Sequence, residues 1–364
     1  MKIVITGTRG IPNILGGVET HCEELFPRLA ALGFDVTIVR RSCYLSENNK
    51  INNYKGVRLK DIYAPRNKSL EAFLHTFLAV LYAKKIRAGI LHIHAIGPSL
   101  MVPFARLLGL KTVMTHHGAD YERQKWGKMA KFILKKGEKY GVKFSHKVIV
   151  ISETIKKSIL EKYGKKNSIL IFNGVNMPVL AKESAYIETL GLQKGNYVFA
   201  MGRFVEEKGF HLLIKAFSDI KNDDLKLVLA GDADHETDYS RSLKNLAKLH
   251  NVVLTGFVKG AKLNELLTHA RLFILPSFHE GLPISLLEAM SYKLPILASD
   301  IAANKAVNLP ENAYFKCGDE SDLFAKLQEK LSQPATPQHY DLTAYDWDKI
   351  AQQTAAVYDR ILKE

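Results

Sequence analysis

Short runs rich in valine and isoleucine recur along the first half of the chain, at Lys2–Gly7, Val36–Arg40, Val57–Tyr63, Ile90–His94, Thr112–Thr115, Val148–Ser152 and Ile169–Phe172. Most are apolar throughout rather than alternating, the pattern of strands covered on both faces of a parallel sheet. Stretches with helical spacing lie between them, for example Thr20–Leu32 and Leu70–Lys85, and Pro27 predicts a bend or break in the first. The second half repeats the scheme, with strands at Tyr197–Met201, Leu225–Ala230, Val252–Leu254, Leu272–Leu275 and Ile296–Ala298. Helices are predicted there at about 209–219, 238–249, 261–269, 284–292 and 320–332.

Such alternation predicts an α/β fold of two Rossmann-like, doubly wound parallel-sheet domains facing a cleft. Ligands then belong at the carboxyl ends of the strands. The expected divisions are a first domain at 1–172, a linker at 173–184 punctuated by Gly174 and Pro178, and a second domain at 185–340. A C-terminal segment, 341–364, becomes helical near Trp347 and is expected to pack back on the first domain.

No apolar run approaches the ~18–20 residues needed to span a bilayer. The opening residues MKIVITG enter a strand rather than a leader pattern. Cys22, Cys43 and Cys317 are too few and too scattered for a disulfide framework or a metal-ligand cluster. Together these features predict a cytoplasmic protein.

Charge changes the picture. Of the net +14, residues 1–172 hold 30 Lys and Arg against 12 Asp and Glu, a net +18, while 173–364 hold 21 against 25, a net −4. A basic half suits nucleic acid, an anionic lipid surface or a phosphorylated acceptor. No recognisable nucleic-acid module accompanies it, so nucleic acid is set aside. Within Trp126–Lys147, helical spacing puts Trp126, Met129, Ala130, Ile133, Leu134, Tyr140 and Phe144 on one stripe. Lys125, Lys128, Lys131, Lys135, Lys136, Lys139 and Lys143 cluster opposite. This is either a core-packed helix with a solvated lysine face or a basic amphipathic helix on an anionic membrane.

Candidate chemistry sits at the strand ends. Gly7-Thr8-Arg9-Gly10-Ile11-Pro12 and then Gly16-Gly17-Val18-Glu19 follow the first strand, where glycines let backbone N–H groups approach a phosphate. The segment is not a GxGxxG dinucleotide fingerprint, which counts against a dehydrogenase. Glu280-Gly281-Leu282-Pro283-Ile284-Ser285-Leu286-Leu287-Glu288 follows the apolar run 272–275. Pro283 suits a first helical turn, freeing the N–H groups of Gly281, Leu282 and Ile284 for a ligand oxygen. Eight residues at ~100° each leave Glu280 and Glu288 about 80° apart, so both can face one ligand and grip vicinal hydroxyls. Arg203 and Lys208 flank another predicted helix start, where two cations and the helix dipole can hold a diphosphate. His116-His117-Gly118 ends a first-domain strand, and a histidine there can position a proton or bond a sugar hydroxyl. No acid or cysteine pattern completes a metal site beside that pair. Asp232-Ala233-Asp234 and Asp346-Trp347-Asp348 have the Asp-x-Asp form that can hold a divalent ion, but read as a turn and a helix cap.

These motifs resemble glycosyltransferase family 4, retaining enzymes of the two-Rossmann GT-B fold, over essentially the whole chain. The most specific part is Glu280–Glu288 within Leu275-Pro276-Ser277…Glu288-Ala289-Met290, supported by Gly16-Gly17-Val18-Glu19, His117-Gly118, Asn173-Gly174-Val175 and Gly202-Arg203…Lys208-Gly209. The opening Thr6–Pro12, with His117-Gly118…Lys125-Trp126, is similar to a bacterial branch that includes rhamnosyltransferases of surface-polysaccharide assembly. The resemblance implies that Glu288 holds the ribose hydroxyls of a nucleotide sugar and that Glu280 holds its sugar, helped by Gly281 and Leu282. It implies that Arg203 and Lys208 neutralise the diphosphate, that Gly16 and Gly17 touch phosphate or acceptor, and that His117 lies near the reacting carbon.

Two departures bear on donor identity: Lys293 stands where the family usually has glycine, and Asp300-Ile301-Ala302-Ala303-Asn304 replaces a Gly-rich turn. The expectation is a metal-independent, retaining hexosyltransferase that needs no cofactor. It moves a sugar from a UDP-, dTDP- or GDP-linked donor to a saccharide or lipid-linked acceptor, peripheral at the inner face of the plasma membrane. An epimerase or hydrolase of the same fold, or a non-catalytic interaction subunit, is the alternative.

Overall fold

The computed structural model describes residues 1–45, 49–66, 70–122, 126–165, 168–222 and 224–363. Contacts divide the chain into two compact units, Met1–Gly174 with Tyr345–Glu364, and Val175–Ala344.

The first unit carries β1 (Lys2–Thr6), β2 (Asp35–Arg41), β3 (Asn53–Tyr54), β4 (Val57–Ile62), β5 (Ile90–His94), β6 (Lys111–His116), β7 (Lys147–Val150) and β8 (Ile169–Leu170). They form one sheet in the order β3-β4-β2-β1-β5-β6-β7-β8, parallel except for the β3–β4 pair. The sheet is covered on both faces, as the unbroken apolar runs require. Ile3 and Ile5 belong to a core with Cys22, Phe26, Trp347 and Tyr358, whereas Val4 points into a second core with Val80, Leu91 and Val102. The C-terminal helix Trp347–Lys363 thus supplies part of the first unit's core, as expected. The indole of Trp347 lies so close to Gly174 that a side chain there would meet it at 2.5 Å.

The second unit carries β9 (Tyr197–Met201), β10 (Lys226–Ala230), β11 (Val253–Gly256), β12 (Leu272–Leu275), β13 (Ile296–Ser299) and β14 (Tyr314–Phe315) in the parallel order β11-β10-β9-β12-β13-β14. The sequence pattern does not predict β3 or β14, because two residues carry no period to detect.

The helix Gly17–Ala31 runs unbroken through Pro27, so of the predicted bend or break the break does not occur. Cys22, Leu25, Phe26 and Leu29 bury completely on either side of the proline, so packing outweighs its missing N–H.

In both sheets the strand order reverses once beside the first strand, between β1 and β5 and between β9 and β12. In an open α/β sheet these reversal points are where ligands bind, beyond the strands' carboxyl ends.

Candidate functional site

At the second unit's reversal point, β9 delivers Arg203 and β12 delivers Glu280. Gly209, at φ 67, caps the helix Phe210–Ser218 and passes beneath the carbonyl of Pro276, where a side chain would collide. This brings Lys208 against the loop after β12. Its Nζ donates to Glu280 Oε1 at 2.5 Å, and Ser277 Oγ donates to the same oxygen at 2.7 Å. Arg203 Nη1 donates to Asp234 Oδ2 at 2.9 Å. All four charged side chains are mostly but not wholly buried, with 12–16% of their surface exposed. Charge-assisted bonds of this length hold both cations in place.

The two predicted cations and the first predicted acid are therefore brought together. Glu288 is half-buried on the helix Ile284–Ser291. Its charge adds to burial in pushing the Tyr292 hydroxyl up to about 12. Gly281 is half-buried and Leu282 is buried in the stretch before that helix. Pro283 is the N-cap residue, extended at φ −76 and ψ 108, rather than the first helical residue predicted. Glu280 is thus placed by Lys208 and Ser277 in a loop, not by helical periodicity.

Both Asp-x-Asp pairs are engaged within the chain. Asp232 meets Lys244 at 2.8 Å, and Asp346 accepts from the N–H groups of Asp348 and Lys349 as a helix cap. Asp234, read in the sequence only as part of a turn, is the partner of Arg203. The departures from the family pattern also find their places. Lys293 adopts the left-handed φ of 58 that glycine takes after a helix. Asn304 Nδ2 closes the turn after β13 on the Ser299 carbonyl at 2.9 Å.

At the first unit's reversal point, Gly7 at φ 95 crosses the backbone of His94, which no side chain could allow. Glu19, in the first turn of its helix, folds back and accepts from Thr8 Oγ1 at 3.2 Å and the Arg9 N–H at 3.0 Å. Gly16 lies against that carboxylate, so a side chain would collide, whereas no described residue lies within 4 Å of a Cβ on Gly17. Gly17 therefore leaves room at the helix start, where N–H groups favour an anion.

His117 stands beside two histidines the sequence reading did not include. His94 Nδ1 and His117 Nε2 are 2.9 Å apart and share a hydrogen. The His21 ring lies 4.9 Å from that of His117 and 5.5 Å from that of His94. Burial, reinforced by the neighbouring imidazoles, drives both His94 and His117 well below the ordinary histidine value. Burial likewise lowers His21 to about 4, against the opposing effect of its hydrogen bond to Asn173. His117 is thus neutral near pH 7. It can give and take hydrogen bonds, but is no cationic acid. The signal for His94 was present in Ile90-Leu91-His92-Ile93-His94, since strand alternation puts His92 and His94 on one face. Only tertiary contact brings in His21.

His116 turns the other way. It accepts the Gly118 N–H at Nδ1, 3.1 Å, and donates from Nε2 to Glu138 Oε1 at 2.9 Å. Tyr163 Oη, at 2.6 Å, and Tyr121 Oη, at 3.1 Å, also donate to Glu138. Burial would raise the Glu138 carboxyl, but the bonds from His116 and Tyr163 outweigh it and hold it below its usual range.

Glu138 lies on the helix Lys128–Phe144, whose buried face is not the predicted stripe. Gly137, Glu138, Gly141 and Val142 are buried, while Met129, Ile133 and Phe144 are exposed, Met129 by 72%. The cause is close approach. A side chain at Gly137 would strike the Ile96 carbonyl, and one at Gly141 would meet Ser99 Cβ at 2.7 Å. The helix rolls its glycines inward and leaves Met129, Phe132, Ile133 and Phe144 facing outward beside Lys128, Lys135, Lys139 and Lys143. Lys125 lies outside the described residues. Among the described residues, no helix is long and apolar enough to cross a membrane.

Two family models tile the chain: Glycosyltransferase Family 4 matches residues 15–177, and Glycosyl transferases group 1 matches residues 183–347. An uncharacterised glycosyltransferase of Methanocaldococcus jannaschii is 25% identical, over 98% of each chain. The UDP-Gal:alpha-D-GlcNAc-diphosphoundecaprenol alpha-1,3-galactosyltransferase of Escherichia coli is 27% identical, over 84% of this chain and 81% of its own. Among solved structures, sucrose-phosphate synthase of Thermosynechococcus elongatus superposes with a TM-score of 0.81 at 21% identity, over 100% of this chain and 99% of its own. The fold is GT-B.

Proposed function

We infer, for a chain built of a family 4 and a group 1 glycosyltransferase domain, that it transfers a hexosyl group from a nucleotide diphosphate sugar to a hydroxyl of a lipid-linked saccharide, with retention. The observation that carries this reading is the Lys208–Glu280–Ser277 cluster beside the Arg203–Asp234 pair at the second unit's reversal point. In this reading Glu288 accepts from the ribose hydroxyls, and Glu280 with Gly281 and Leu282 holds the donor sugar. Arg203 and Lys208 meet the diphosphate. As the bond to the sugar breaks, negative charge grows on the leaving phosphate. Cations already fixed by Asp234 and Glu280 stabilise that charge with little reorganisation, so this step calls for no metal ion. Gly16 and Gly17 meet the acceptor or its phosphate, and neutral His117 hydrogen-bonds the sugar near the reacting carbon.

The acceptor class rests on the E. coli relative, whose name records a diphosphoundecaprenol-linked acceptor, and on the +18 charge of residues 1–172. The exposed apolar ridge of the helix Lys128–Phe144, edged by lysines, extends the reading to an anionic membrane surface, where such ridges insert shallowly.

The test pairs binding with product analysis. A thermal-shift screen of UDP-, dTDP- and GDP-sugars selects the donor, since a ligand that prefers the native state raises Tm. Incubation with a diphosphate-lipid saccharide should then yield a glycosylated product with the donor's anomeric configuration, read by NMR. Donor consumption that is equal with and without acceptor would make the protein a hydrolase or epimerase. Turnover abolished by a chelator and restored by Mg2+ or Mn2+ would overturn the assignment of Arg203 and Lys208.

A further inference from the structure

We propose that His21, His94 and His117 form a binding site for a borderline divalent transition ion such as Zn2+, with three imidazole ligands and a fourth position open to water or another oxygen. One ring nitrogen from each residue lies within 4.8 Å of the others. The three come from separate elements: His21 from the helix Gly17–Ala31, His94 from the end of β5, and His117 from the segment after β6. Around a tetrahedral ion with Zn–N bonds of ~2.0–2.1 Å, neighbouring nitrogens sit about 3.4 Å apart. Side-chain rotation of about an ångström therefore closes the site.

Two observations point to an ion rather than to a self-sufficient cluster of rings. The buried Nε2 atoms of His21 and His94 have no hydrogen-bond partner among the described residues, a costly state for a buried polar atom. With the shared proton on His94 Nδ1, both Nε2 atoms present lone pairs and an ion on them would remove that cost; His117 joins it by giving up the hydrogen bond to His94. The second is the orientation of His21. Its Nδ1 is 2.9 Å from Asn173 Oδ1, an acceptor, so the proton is on Nδ1 and Nε2 presents its lone pair. Metal-bound histidines are held in this way by an oxygen on their far nitrogen.

His92, which touches the same group, is not a ligand. Its Nδ1 is engaged by Tyr358 at 2.6 Å and its Nε2 by Thr115 at 2.7 Å. Among the described residues no carboxylate or thiolate joins the three rings, and an all-imidazole set favours Zn2+, Cu2+ or Ni2+ over Mg2+ or Ca2+. Burial keeps the rings unprotonated, the form that binds metal. His117 is the half-buried member and gives the ion its way in.

An ion here engages His117, which the transferase reading assigns to the sugar, so loading and turnover would oppose each other. That consequence rests on the transferase reading. The ion site does not, and its test reads binding alone.

The full chain, stripped with chelator, is titrated with Zn2+ by equilibrium dialysis and with Co2+ by visible absorption. One ion per chain is expected, with the d–d bands of a nitrogen- and oxygen-ligated Co2+ and none of the near-ultraviolet intensity that a thiolate would add. His21→Gln and His94→Gln should each abolish stoichiometric binding. Asn173→Ala should weaken it roughly 10–100-fold, as loss of an orienting partner does. His339→Ala, at an exposed histidine of the second unit, should leave it unchanged. Circular dichroism and the urea unfolding midpoint verify folding of each variant. No binding at micromolar free ion would overturn the site. So would an ion that survives His21→Gln with His94→Gln, or a thiolate signature.

Discussion

The two reversal points place polar groups beneath the surface by opposite means. In the second unit the groups are charged, paired and partly exposed: Arg203 with Asp234, and Lys208 with Glu280. In the first, apart from Glu19 at the helix start, they are imidazoles, stacked on one another and held neutral by burial. A charge survives out of water only beside a partner, and burying it whole costs several kcal/mol even then. A neutral ring can be buried completely for the price of its hydrogen bonds. The contrast suggests a division of labour, with the second unit answering charge that develops during bond cleavage and the first orienting neutral hydroxyls.

The sharpest test of that division is to remove the cations. Arg203→Ala and Lys208→Ala should each lower kcat by about 10²–10³, the scale of losing one preorganised electrostatic donor. Affinity for a nucleoside lacking the diphosphate should barely move. Near-parental turnover in both variants would dissolve the contrast.

The units also differ in net charge, and Lys128, Lys131, Lys135 and Lys139 test what that difference does. Each lysine near an anionic surface contributes up to about 1 kcal/mol, fading with salt. Changing all four to Gln should sharply reduce sedimentation with anionic vesicles at low salt while donor affinity stays intact. Equal sedimentation of variant and parent would make a soluble acceptor the better assignment.

Glu288→Ala probes the second unit away from its ion pairs. Losing a charged acceptor for the ribose hydroxyls should weaken donor binding by roughly 1.5–3 kcal/mol. Unchanged affinity by calorimetry would move the ribose elsewhere.

Glu138, the most deeply buried of the first unit's carboxylates, could break the comparison. It stays charged because His116, Tyr121 and Tyr163 converge on it. Its folded-state pKa is lowered, so its contribution is complete above the unfolded carboxyl value and is lost as pH falls through the lower folded one. Glu138→Gln should cost about 1–3 kcal/mol at pH 7. In urea unfolding, the gap from the parent should close as pH falls below the ordinary carboxyl range. A gap that does not depend on pH would mean that packing, not charge, is at stake.

The smallest expected effect lies at Lys293, which pays for a left-handed backbone without glycine. Lys293→Gly should stabilise the second unit by up to about 1 kcal/mol, seen as a higher urea midpoint.

Much of this was legible in the chain. Continuous apolar runs gave twelve of the strands nearly to the residue, because a strand covered on both faces leaves no other pattern. The glutamate pair, Arg203, Lys208 and the double glycine could be picked out because each lies in a short, chemically distinctive stretch that follows a strand. The histidine group was only half legible. His92 and His94 share a strand face by period, but His21 lies 73 residues before His94 and reaches it only through the fold.

The long basic helix marks the same boundary. Its sequence fixes an apolar stripe and a lysine stripe, since both follow from 3.6 residues per turn. It does not say which side faces the protein. Gly137 and Gly141 decide that by letting the helix seat against the backbone at Ile96 and the side chain of Ser99, and Glu138 by locking onto His116. The same holds for Glu280. The sequence determined that a carboxylate stands after β12, and the tertiary structure decided that Lys208, 72 residues earlier, holds it. Periodicity is a local property that each segment carries in itself, whereas partners of buried charge are chosen by the sheet order that brings distant strand ends together.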